Sequence, residues 1–143
     1  MTVNLGPKKW LWRFLGFETL DGNQPVQDWF DGLTDAARDD LLDTLGDLQV
    51  LPNHLWRRPK FDKLEDDISE IIGWTSTEEL RIYGYFPGNE QTYTFLNGNS
   101  KKVGNDRQGK HLAKQRLGLL RANKATTHEF KFRRNSTGEG EQK

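Results

Sequence analysis

Arg81, Tyr83 and Tyr85 fall on alternate positions of residues 79–86, so an extended chain sets all three on one face and Ile82 and Phe86 on the other. A second run rich in aromatic and β-branched residues begins at Thr92 and leads into Lys101-Lys102. The five residues between the runs include Pro87-Gly88-Asn89, a turn signal, and the whole stretch reads as a β-hairpin. An arginine, tyrosines and lysines gathered on one sheet suit a phosphate-bearing partner. The arginine offers a planar fork for phosphate oxygens, and the lysines offer point charges.

Each of these residues has a plainer use. Arg81 in a strand can pair with Glu70 or Glu79, the tyrosines can pack, and Lys101-Lys102 can be the solvated start of a helix. Arg57, Arg58, Lys60 and Lys63 form a basic stretch, but Asp62, Glu65, Asp66 and Asp67 beside it invite local ion pairs. His54 and His111 are distant in sequence and read as surface residues. No calcium-loop spacing, Gly-x-x-x-x-Gly-Lys loop, Gly-x-Ser-x-Gly elbow or His-Glu-x-x-His occurs. No metal or other cofactor is therefore expected.

Several elements must position these side chains. Lys9 to Thr19 is dense in aromatics and reads as a first strand, stopped by Asp21-Gly22-Asn23. Pro25 suits a first helical position, and Val26, Trp29, Phe30 and Leu33 make an apolar helical stripe that Gly32 can end. Thr34 or Asp35 can cap a second helix with Ala37, Leu41, Leu42, Leu45 and Leu48 on one face and Asp39, Asp40, Asp43 and Asp47 on the other. These two helices are expected as an antiparallel hairpin. Residues 52–64, with two prolines, are expected to lack regular structure. Ile68 to Trp74 reads as a second strand, the β-hairpin adds two more, and residues 106–122 read as a last helix carrying Leu112, Ala113, Arg116, Leu117 and Leu120. The expected class is α+β, in the order β-α-α-β-β-β-α, with a largely antiparallel sheet and the helical hairpin packed on it. One domain over 1–122 is expected. A polar, basic tail over 123–143 follows, in which residues 128–133 alternate as one extra edge strand before a disordered end.

Composition narrows the class. The 143 residues include no cysteine, which excludes a disulfide framework and thiolate chemistry and fits a reducing compartment. No apolar run approaches a membrane span, and the first residues lack a signal-peptide pattern, so a soluble cytoplasmic protein is expected, with no membrane partner. The formal net charge of zero is unevenly spread: residues 1–17 sum to +3, residues 18–90 to −11 and residues 91–143 to +8. A basic end on a neutral chain can steer toward phosphate.

The element order, with Lys60-Phe61-Asp62-Lys63-Leu64, Ile68-Ser69-Glu70-Ile71-Ile72, Leu80-Arg81-Ile82, Phe95 to Lys102 and Ala113-x-x-Arg116, resembles the RelE/ParE superfamily of bacterial toxins, and within it the HigB-like, phage-derived branch. The likeness covers roughly residues 10–121. Ile72 stands where the family usually has an arginine, and Asn99 where it usually has a phenylalanine. The resemblance implies a toxin of a type II toxin–antitoxin pair, acting as a ribosome-dependent messenger RNA endonuclease. Its partners would be the ribosome, mRNA and a helix-turn-helix antitoxin. Cleavage would be metal-independent, the 2′-oxygen attacking the adjacent phosphate.

In that reading Arg81 clamps the phosphate, Lys101 and Lys102 add charge stabilisation, and Tyr83 or Tyr85 stacks on a base or donates a proton. Lys60 and Lys63 are candidates for the base, while Arg57, Arg58 and Arg116 contact RNA. Two alternatives share the fold: a binding protein that has lost catalysis, and a ParE-like inhibitor of DNA gyrase.

Overall fold

Pro25 opens α1 (Pro25–Asp31), which buries Val26 and Phe30, and Gly32 follows its last turn. Thr34 caps α2 (Asp35–Gln49), its hydroxyl accepting from the Ala37 N–H at 3.1 Å. Arg38 locks the turn between the two helices. Its buried guanidinium donates to the Asp31 carbonyl at 2.8 Å and the Leu33 carbonyl at 2.7 Å, and pairs with Asp35. Orphan carbonyls at a helix end thereby gain a charged donor. The computed structural model describes residues 10–101 and 106–132.

The strands are β1 (Arg13–Thr19), β2 (Phe61–Lys63), β3 (Ser69–Trp74), β4 (Glu79–Tyr85), β5 (Thr92–Lys101) and β6 (Ala125–Glu129), and α3 (Arg107–Arg121) lies between the last two. They form one six-stranded sheet in the order β2-β3-β4-β5-β1-β6. All neighbours run antiparallel except β1 and β5, which are parallel. The class is α+β, with three α-helices and a mostly antiparallel sheet among the described residues.

Helices cover both faces. On one, α1 and α2 pack with Phe14, Ile71, Leu80, Ile82, Tyr93 and Phe95. On the other, Ala113 and Leu117 of α3 pack with Phe17, Ile68, Tyr83 and Leu96. The alternation expected in β4 holds, since Ile82 and Phe86 join the first core while Tyr83 and Tyr85 join the second. In β5, Leu96 is skipped in the pairing, Tyr83 facing Asn97 and Gly84 facing Phe95. This bulge lets Leu96 and Asn97 both serve the α3 side. Beyond it Gly98 lies under the Trp29 ring, which any Cβ would strike.

Three features depart from the sequence expectation. Residues 52–64 are not irregular throughout: residues 61–63 form β2 against β3. Trp56 anchors this segment, its ring buried against Trp12 and Phe61 and its indole N–H donating to the Leu48 and Leu51 carbonyls at 2.7 and 3.1 Å. The extra edge strand starts earlier than the alternation suggested, at Ala125, because β1 pairs Thr19 with Ala125 and Leu15 with Glu129. Phe130 and Phe132 then enter the first core, so packing continues past residue 122. The parallel β1–β5 pairing carries no local sequence signal.

Candidate functional site

The α3-facing side of β3 and β4 opens into a cleft of about 280 Å³ lined by Arg58, Asp62, Leu64, Glu70, Ile72, Trp74, Glu79, Arg81, Tyr83, Asp106 and Lys110. Strand register builds its floor. Glu70 lies opposite Tyr83, Ile72 opposite Arg81, and Asn99 of β5 on the other side of Arg81. Asp106, which caps α3, and Lys110, one turn further along, close one rim. Arg58 and Asp62 come from the segment entering β2.

Arg81 is held by carboxylates. Its Nε donates to Glu79 at 2.8 Å, a second nitrogen pairs with the same carboxylate, and Nη1 lies 3.8 Å from Glu70. Burial opposes the Arg81 charge. The hydrogen bonds with Glu79 and Tyr83 and the fields of Glu70 and Glu79 outweigh it and hold the guanidinium more firmly protonated than usual. Tyr83 in turn donates to Asp106 Oδ2 at 2.9 Å. That oxygen also accepts from Asn99 Nδ2 at 2.7 Å, and Asp106 Oδ1 takes the Gly109 N–H at 3.1 Å. Burial, reinforced by Asp106, pushes the Tyr83 phenol up. Gly109 is required here because any Cβ would run into the Asp106 carboxylate. The network Arg81–Tyr83–Asp106–Asn99 gives the guanidinium one defined orientation.

Among the described residues, three cations and four carboxylates line the cleft. Arg58 is 71% exposed and Lys110 30%, against 13% for Arg81, so an anion entering the cleft would meet the first two before competing with Glu79 and Glu70 for Arg81. Arg58 donates to Asp62 at 2.8 Å, and that hydrogen bond raises its pKa. Lys110 lies 3.8 Å from Glu65.

The other residues singled out in the sequence lie elsewhere. Arg57 and Lys60 line a separate groove with Leu48, Leu51 and Leu55, and Lys60 sits 3.6 Å from Asp47. Lys63 borders a third hollow with residues 64–69 and Phe86. Tyr85 lies under the Arg121 guanidinium, 5.9 Å from its ring centroid, and burial raises its pKa. Arg116 turns toward β5, donating to the Leu96 carbonyl at 3.0 Å and sitting over the Phe17 ring, and its burial lowers its pKa. It does not line the cleft. Lys101 ends β5 opposite Glu79, and Lys102 lies outside the described residues.

Sequence reasoning did not single out Asp106, Asn99 or Lys110 as members of this site. The one signal available at Asp106 is that an aspartate at the start of a helical stripe is a capping residue type, which says nothing of a cleft wall.

Glu70 supplies a pH test. Burial pushes its carboxyl above the ordinary value of 4.5, against the opposing field of Arg81. Below 4.5 both folded and unfolded chains carry it protonated, and it contributes nothing to pH dependence. As pH rises through the raised folded value, the folded state alone resists ionisation and stability falls. A Glu70→Gln variant should therefore be more stable than wild type at neutral pH, with the gap closing in acid. Urea unfolding across pH checks this, and a variant weaker at neutral pH would contradict it.

No family model matches the chain, and no curated protein matches it at a significant level.

Proposed function

We propose that this chain is a RelE/HigB-like toxin that cuts messenger RNA on the ribosome and is held silent by a helix-turn-helix antitoxin. The observation that carries the reading is Arg81. It is a guanidinium of fixed orientation on a sheet floor, with Arg58 and Lys110 at the mouth of the cleft above it. RNA cleavage by 2′-oxygen attack needs a cation at the phosphate where charge develops, and a group held in advance costs no reorganisation. Arg58 and Lys110 would steady the backbone on either side. Lys60 and Lys63, on other surfaces of the same segment, would serve RNA outside the cleft.

A second reading, a protein of this fold that binds without cutting, is favoured by Ile72 lining the cleft and by the carboxylates that outnumber the cations among its described lining residues. Expression in bacteria separates the two. The first reading expects growth arrest with shortened messages, relieved by Arg81→Lys, which keeps the charge but removes the fork. Normal growth and intact messages at high expression would favour the second.

A further inference from the structure

From residue 107 to residue 124 the chain carries six Lys or Arg and no Asp or Glu. At helical spacing Arg107, Lys110, Lys114, Gly118 and Arg121 share one stripe of α3. A Cβ at Gly118 would meet nothing within 4 Å among the described residues, so the middle of the stripe is open there. The acidic turn between β2 and β3 lies along it. Lys110 is 3.8 Å from Glu65, Lys114 is 3.2 Å from Glu65 and 2.9 Å from Asp66, and Arg121 is 2.9 Å from Asp67. All these carboxylates are more than half exposed, and solvent-exposed pairs of this kind exchange partners readily.

We propose that this α3 stripe is a track for the backbone of single-stranded RNA, and that the turn Glu65-Asp66-Asp67 occupies it as an internal competitor in the free protein. The inference rests on the RNA-directed reading for its ligand. Lys110 belongs to both the stripe and the cleft, so RNA leaving the cleft past Lys110 runs onto Lys114 and Arg121. From Lys110 to Arg121 the helix rises about 16 Å, room for several phosphates of one strand. At the far end Arg121 lies over the half-buried Tyr85 ring, an aromatic–guanidinium pair that suits an unpaired base. The turn copies the phosphates it displaces, since consecutive carboxylates meet cations spaced along one helix face.

The test uses the full chain and a fluorescent oligouridylate of about 20 nucleotides carrying 2′-O-methyl groups, to which backbone contacts are largely sequence-independent. That probe cannot be cut by 2′-oxygen attack, so the result stands apart from whether the protein cleaves. Asp66 and Asp67 have φ of 51° and 68°, a conformation asparagine also tolerates, so Glu65→Gln/Asp66→Asn/Asp67→Asn keeps the turn. This variant should bind about 10-fold more tightly than wild type, with affinity falling steeply as salt rises. Asp67→Asn alone should shift affinity the same way by a smaller factor. Adding Lys114→Ala and Arg121→Ala should abolish the gain. Unchanged affinity in both turn variants would overturn the proposal, as would a gain that survives loss of Lys114 and Arg121. A gain seen with phosphatidylserine vesicles but not with RNA would also overturn it.

Discussion

Replacing Arg81 with alanine is expected to destabilise the fold by about 3–5 kcal/mol at neutral pH, before any effect on function is counted. The Glu70 and Glu79 side chains beside it are only 6% and 9% exposed, and the substitution leaves both as buried carboxylates without their cation. It also removes a hydrogen bond to Tyr83, whose hydroxyl ties β4 to the cap of α3. Adding Glu79→Gln should return a large part of the loss, because one of the stranded charges disappears with it. Urea unfolding of the two single variants and the double variant measures this coupling. Additive losses would mean that the Arg81–Glu79 pair contributes little. A phenotype of Arg81→Ala therefore mixes folding with chemistry, and Arg81→Lys is the better functional probe.

The second large effect is expected at Trp56. Truncation to alanine should cost about 3–5 kcal/mol, the range for removing a large buried aromatic. The ring touches Trp12, Phe61, Phe86 and Tyr93. Its N–H is also a donor to carbonyls at the end of α2. Trp56→Phe keeps most of the packing and should lose only about 1–3 kcal/mol, the cost of leaving a buried acceptor unpaired. Denaturant titration of both variants checks the order. Near-wild-type stability of Trp56→Ala would mean that residues 52–60 are not anchored to the core. Since Arg58 and Asp62 follow Trp56 in the chain and wall the cleft, the proposed RNA-directed reading expects the same variant to weaken RNA binding.

Local rules made α1, α2 and the β4–β5 hairpin legible. Pro25, Gly32 and Thr34 are end signals, and the apolar stripes of both helices face the sheet. Strand alternation separated Ile82 from Tyr83 correctly because different helices cover the two sides of the sheet, α1 and α2 one and α3 the other. β2 was not legible. Three residues between Pro59 and an acidic turn have no period of their own, and β3 decides their conformation. At the site, charge pointed to Glu70 and Glu79 as partners of Arg81, and both are. Arg116 lies away from the cleft for a rotational reason that sequence spacing does not show. Burial of Ala113 and Leu117 sets the roll of α3, and that roll aims Arg116 at β5 rather than at the cleft. The role of Asn99 was hidden too, since its partner Asp106 is seven residues further along and caps a different element, α3.

Message integrity in a bacterial translation extract is the most direct test of the central proposal. Purified protein should cut translated message, leaving a 2′,3′-cyclic phosphate and a 5′-hydroxyl, and cutting should continue in the presence of a chelator. Arg81→Lys, shown by its melting transition to be folded, should cut at least about 100-fold more slowly, the loss typical of a misplaced charge-stabilising donor. Intact message in the presence of folded wild-type protein, or equal cutting by Arg81→Lys, would contradict the assignment of this cleft as a ribonuclease site.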